Sequence, residues 1–139
     1  MIISTRPQCV LLLPPSGENN PILQAIDLTL KECDVEPVIP SSNGPNRESA
    51  GGSIRYADMI IADVTGADPN VMFDLGLAFA GRKPIMPILN RSERRVPSAL
   101  AGNLFLVYDP SQPERFHFQS FLRHWVTQNV EAWRGVRSA

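Results

Sequence analysis

The strongest constraint on this chain is one continuous stretch in its middle. Met59 to Val64 reads MIIADV, an apolar run of strand length that ends at an aspartate, and a helix start follows at Asp68-Pro69. A strand apolar on both of its faces must be covered on both, which places it inside a parallel sheet flanked by helices. The same pattern recurs along the chain. Cys9 to Leu13 (CVLLL), Val35 to Ile39, Ile85 to Leu89 and Leu104 to Tyr108 are further strand-length runs. Between them, Ile22 to Cys33, Arg47 to Ala57 and Val71 to Ala80 carry helical spacing. Asn20-Pro21 reads as a cap followed by proline at the first helical position, and Gly81 as a helix stop. Gly51 and Gly52 weaken the second helix.

Parallel strands require crossover connections, which are right-handed and leave few topologies. The expected fold is α/β: one flavodoxin-like, Rossmann-like three-layer domain over residues 1–139, with a five-stranded parallel sheet and helices on both faces. A length of 139 residues suits one domain with one core. Glu114 to Arg134 is the longest helix candidate, with Phe118, Phe121, Leu122, Trp125, Val126, Val130 and Trp133 in one broad stripe and Gly135 where a cap belongs. That stripe covers the sheet, and its aromatic end suits contact with a second copy, so a homo-oligomer is expected.

Composition removes several function classes. Thirteen basic and 14 acidic side chains give a net charge of −1, with no basic face for duplex nucleic acid. No apolar run approaches the ~20 residues of a membrane span, and Met1 to Gln8 lacks the apolar stretch of a secretion signal. Two cysteines, Cys9 and Cys33, imply neither a disulfide framework nor a metal cluster. A cytoplasmic protein with no metal, no cofactor and no membrane partner is expected. Cys9, at the start of a buried strand, reads as core rather than nucleophile.

In an open α/β sheet, ligands bind beyond the carboxyl ends of the strands, near the switch in strand order. The segment leaving the central strand is the richest there. Asp63 ends the strand and is expected to emerge into the crevice. Gly66 permits a sharp loop, and Asp68 caps the next helix ahead of Pro69. Asn70 and Asp74, four apart, are expected on one helix face, opposite Val71, Leu75 and Ala78. Taken singly, Asp68 is a cap, Asp63 a loop residue holding amides, and Asn70 with Asp74 a solvated face. Together, three carboxylates and an amide at a helix N-terminus point to a ligand pocket. Pro14, Ser16 and Gly17, in the turn after the first strand, also reach this edge. Arg91, with Arg94 and Arg95, leaves the same edge; a solvated basic loop is the plainer reading, and a phosphate partner is the alternative. His117 and His124, seven apart, are read as packing or surface residues.

At these residues the chain resembles the nucleoside 2-deoxyribosyltransferase-like superfamily and its bacterial relatives described as TIR-like nucleotide-binding domains. The signature A-D-hydrophobic-hydrophobic-A-D-hydrophobic-T-G, then N-P-N-V-F-Y-E-L-G-hydrophobic-A, then G-K-P, is matched by ADMIIADVTGADPNVMFDLGLAFAGRKP from Ala57 to Pro84. Weaker likeness lies in LLLPPSG (Leu11 to Gly17) and VPSALAGNLFLVYD (Val96 to Asp109). The resemblance implies chemistry at an N-glycosidic bond through a carboxylate nucleophile. Asp74 holds the family's glutamate position. Asp63 and Asp68 would orient the sugar and base or relay a proton to the leaving nitrogen, and Asn70 would hold a ribose hydroxyl or the Asp74 carboxylate. Two departures stand out: Asp74 is one methylene shorter than glutamate, and Pro15 replaces the usual aromatic.

The implied ligand is a nucleoside, nucleotide or NAD-like molecule, hydrolysed or transferred. The alternative is a nucleotide-sensing or TIR-like effector module that binds without turnover. A phosphoacceptor receiver shares the topology, but it needs an acidic pair after the first strand. This chain has Pro14-Pro15-Ser16-Gly17 there.

Overall fold

A computed structural model describes residues 5–15, 20–40, 48–93 and 95–138. Each apolar run forms a strand. In chain order the elements are β1 (Gln8–Leu12), α1 (Pro21–Glu32), β2 (Glu36–Val38), α2 (Glu48–Tyr56), β3 (Met59–Asp63), α3 (Pro69–Ala80), β4 (Ile85–Asn90), β5 (Leu106–Tyr108) and α4 (Phe118–Ser138). The sheet order is β2-β1-β3-β4-β5 and every ladder is parallel. This is the expected flavodoxin-like arrangement, and its switch point lies between β1 and β3.

Side-chain alternation along the strands divides the core in two. Cys9, Leu11, Met59, Ile61, Met86, Ile88 and Tyr108 pack toward α1 and α4. Val10, Leu12, Ile60, Ala62, Val64 and Leu89 pack toward α2 and α3. β3 lies at the centre of the sheet and all five of its residues are buried. Both helix starts behave as their sequences require. Asn20 Oδ1 accepts from Ile22 N at 3.0 Å, and Asp68 Oδ1 accepts from Asn70 N at 3.0 Å and Val71 N at 3.2 Å. Lys83, within the GRKP segment, donates to the carbonyls of Arg55 and Ala57 at 2.8 and 2.9 Å and so closes the end of α2.

The final helix departs from expectation at both ends. It begins at Phe118 rather than Glu114, because Phe116 and His117 adopt left-handed backbone with φ of 61° and 55°. His117 therefore lies in the turn before α4 and does not share a helix face with His124. At the other end α4 runs through Gly135 to Ser138. One glycine in a last turn costs only about 1 kcal/mol, and Ser138 Oγ bonds back to the Arg134 and Gly135 carbonyls. Gly135 is a helical residue, not a cap. Among the described residues no helix is long and apolar enough to cross a membrane. The outermost strands, β2 and β5, have three residues each, and β2 carries Pro37.

Glycine substitutions separate the two backbone roles. Gly76 lies inside α3 with open space where a Cβ would sit, so Gly76→Ala is expected to stabilise by about 0.5–1 kcal/mol. Gly66 also has open space but sits at φ 74°. There Gly66→Ala is expected to cost about 1–2 kcal/mol. Urea denaturation midpoints check both signs.

Candidate functional site

The carboxyl edge of the sheet is organised by one buried carboxylate. Asp63 is only 2% exposed, and both of its oxygens are engaged. Oδ1 accepts from Thr65 N at 3.0 Å and Thr65 Oγ at 2.6 Å, while Oδ2 accepts from the Tyr108 hydroxyl at 2.6 Å. The network continues outward. Tyr108 Oη accepts from Asn20 Nδ2 at 3.1 Å, and Thr65 Oγ accepts from Asn90 N at 2.9 Å. The ends of β3, β4 and β5 and the start of α1 thus meet through Asp63. Burial, and then the adjoining carboxylate, hold ionisation of the Tyr108 hydroxyl well above the ordinary tyrosine range. Tyr108 stays protonated and remains a donor. The expectation that Asp63 opens into the crevice is corrected: its side chain continues the parity of Met59 and Ile61 and turns inward to Tyr108.

The other residues singled out from the sequence take separate positions. Asp68 caps α3 and Gly66 makes the left-handed bend, with Gly66 N donating to Glu93 Oε2 at 3.0 Å. Asn70 is exposed, whereas Asp74 is 8% exposed and belongs to the buried stripe with Val71, Leu75 and Ala78. The expected opposition between Asp74 and that stripe does not hold. At about 100° per residue Asp74 lies only ~60° from Val71, at the rim between the core face and Asn70. α3 covers the sheet face opposite the one holding Tyr108, so Asp63 and Asp74 are carried on opposite sides of the sheet. Pro14 is half-buried just after β1. Ser16 and Gly17 lie outside the described residues, as does Arg94.

A second charged cluster was not foreseen. Asp109, directly after β5, is buried. Its Oδ1 accepts from Ser111 N at 3.0 Å and Ser111 Oγ at 2.7 Å, and its Oδ2 accepts from Arg115 at 2.9 Å and Arg91 at 3.4 Å. The Ser111 hydroxyl and amide, then Arg115 and Arg91, hold the carboxyl well below the usual carboxylate range. Arg91 is therefore an ion-pair partner and not a free loop cation. The signal for Asp109 was present as a repeat: Asp63-x-Thr65, Asn90-x-Ser92 and Asp109-x-Ser111 follow three successive strand ends. In each, the first side chain accepts from the amide and hydroxyl two residues on.

Two other features carry no chemistry at this edge. Burial pushes the Cys9 thiol far above its ordinary value, which leaves it a core residue and not a nucleophile. A hollow of about 480 Å³ lies at the opposite, amino edge, lined by Asp58, Lys83, Pro84, Trp133 and Arg137 among others. Ligands of open α/β sheets bind at the other end of the strands.

No family model matches the sequence, and no curated protein matches it. Solved structures do. The TIR domain of a Toll-related receptor from Hydra magnipapillata aligns with a TM-score of 0.64 at 12% identity, covering 85% of this chain and 97% of that one. The fold is TIR-like. A CMP N-glycosidase from Clostridium botulinum aligns at 0.62 and 16% identity, over 85% of this chain and 98% of its own. A response regulator receiver domain protein from Bacillus halodurans aligns at 0.54 and 10%, over 87% and 97%. Likeness at these identities establishes the flavodoxin-like α/β architecture. The receiver lies within that architecture, but β1 here is followed by Leu13-Pro14-Pro15 in place of an acidic pair.

Two outcomes follow from the buried groups. Tyr108→Phe leaves Asp63 Oδ2 without its hydroxyl donor and is expected to cost about 1–3 kcal/mol in urea unfolding. Because the Asp109 carboxyl is depressed in the fold, its contribution is full above the unfolded value, about pH 4, and fades as pH falls below it. Asp109→Asn is therefore expected to be less stable than wild type near neutrality, with the gap narrowing below about pH 4. Unfolding midpoints across pH check this.

Proposed function

We propose that this protein binds a nucleoside or nucleotide at the switch point and acts on its N-glycosidic bond, with Asp74 as the nucleophile. The observation that carries the reading is Asp74 itself. It is a carboxylate drawn into the rim of α3, one turn beyond the capped helix start and next to exposed Asn70. It occupies the glutamate position of the resembled family. The fold likeness to a protein described as a CMP N-glycosidase supports the same chemistry.

In this reading Asp74 attacks the anomeric carbon as the bond to the base nitrogen breaks, and the departing base takes a proton from solvent, which the later hydrolysis of the ester returns. Water then cleaves the sugar–aspartate ester and regenerates the carboxylate; a second base in place of water would make the reaction a transfer. A negative oxygen close to the ring suits an oxocarbenium-like transition state. Asn70, on the same helix one turn earlier, contacts a sugar hydroxyl. Asp63 and Asp68 are positioning residues: one holds the strand ends together, and the other fixes the first turn of α3. Pro14 contributes the wall from the β1 side. A homo-oligomer remains part of the proposal, through the aromatic face of α4.

The shorter Asp74 side chain favours a second reading, a nucleotide sensor without turnover. Its carboxylate is retracted by roughly 1.5 Å relative to glutamate, and misplacement on that scale can cost ~100-fold in rate.

Release of free base from a panel of nucleosides, nucleotides and NAD separates the readings. Wild type is expected to release base from at least one member, and Asp74→Ala to lower that rate by at least about 100-fold. Equal release by both proteins would end the nucleophile assignment. Saturable calorimetric binding of a nucleotide that stays intact would select the sensor.

A further inference from the structure

Arg91 and Arg115 come from different segments, the turn after β4 and the approach to α4, yet both reach one oxygen of Asp109. The carboxylate side chain is 5% exposed, while the two arginine side chains are 49% and 40% exposed. Its other oxygen is occupied by Ser111. One buried negative charge therefore pins two half-exposed guanidinium groups, and the cluster keeps a net positive charge. Each side chain gives one N–H to Asp109, and the rest of each planar donor fork remains for another acceptor. Two like charges held together are relieved by an added anion.

The backbone around Arg115 adds a second, independent observation. Phe116 and His117 are consecutive non-glycine residues in left-handed conformation. Such outliers persist where the surrounding structure fixes them, and they cluster at ligand sites. The turn places the Arg115 guanidinium 5.2 Å from the centroid of the half-exposed Phe116 ring. The cluster lies on the same sheet edge as the proposed active site. Asp109 follows Tyr108, which bonds Asp63, and Arg91 follows Asn90, whose amide bonds Thr65. One strand separates β3 from β5, roughly 10 Å at ordinary sheet spacing.

We propose that Arg91 and Arg115, pre-set by Asp109, form a seat for a phosphate monoester, so that the preferred ligand is a nucleoside 5′-monophosphate and not the free nucleoside. Planar guanidinium forks match phosphate oxygens in geometry and in charge. This deepens the reading above, since it rests on the same edge holding the sugar and base.

Titration calorimetry tests it with three probes: inorganic phosphate, a nucleoside and its 5′-monophosphate. Asp74→Ala serves as the background, so that turnover does not consume the ligand. The monophosphate is expected to bind at least about 10-fold tighter than the nucleoside, and more weakly as salt is raised. Adding Arg91→Met and Arg115→Met together should abolish that preference and the binding of inorganic phosphate, while nucleoside affinity stays within about twofold. If the double variant fails to fold, Arg91→Lys with Arg115→Lys keeps a cation on Asp109 and should still lose several-fold, because the fork is gone. Equal affinity for nucleoside and monophosphate, a preference indifferent to both substitution pairs, or no binding of either phosphate probe overturns the proposal. A phosphate preference that depends on both arginines in a protein releasing no base would leave this seat standing and remove the glycosidic reading. Base release with no such dependence would do the reverse.

Discussion

A carboxylate buried at the end of the central strand of a parallel sheet is shut off from bulk solvent, so it must draw partners from elsewhere in the chain. Asp63 takes Tyr108 from the last strand and Thr65 from its own loop. Through these it reaches Asn20 at the start of α1 and Asn90 at the end of β4. The loops that would shape a ligand site are thus fixed at their roots by one shared network. A buried ionic group of this kind is a costly way to gain stability, since desolvation offsets much of its bonding. Its value lies in alignment: a strand end shifted by one residue would leave a charge unmatched.

The same local solution appears three times along the edge. Asp63, Asn90 and Asp109 each fold back on a hydroxyl residue two positions later, and each closes a strand by turning the chain sharply. The sheet then distributes the remaining acidic groups. Asp63 belongs to the layer with α1 and α4, Asp74 to the layer with α3, and Asp109 holds the outer corner beside β5. Instead of one acidic cavity, the edge carries a structural carboxylate at its centre, a rim carboxylate on one side and an arginine-clamped carboxylate at its end.

Much of this architecture was readable from local signals. Continuous apolar runs marked the strands, and the right-handed crossover rule left few topologies, the observed one among them. Asn20-Pro21 and Asp68-Pro69 marked helix starts because caps act within three residues. The failures have the opposite character. Tyr108 gave no sign of its role because Asp63, its partner, is 45 positions away. Arg91 read as a loop cation because its partner lies 18 positions on. Asp74 was misphased because the four-residue spacing pairs it with Asn70, although an offset of only ~60° from Val71 also brings it to the edge of the buried stripe. Gly135 misled because a cap signature and a tolerated helical glycine look alike until backbone angles are known. Lys83 was legible as part of a motif but not as the group that closes α2.

The brevity of the two outermost strands has a consequence for association. β2 and β5 are three residues long, and β2 includes a proline that has no amide hydrogen to offer. A sixth strand would find almost no ladder to join, so the sheet is closed to growth at its margins. Recognition of another molecule by this protein therefore falls to side chains on helix surfaces and loop tips, where it can be tuned one residue at a time without disturbing the strands beneath.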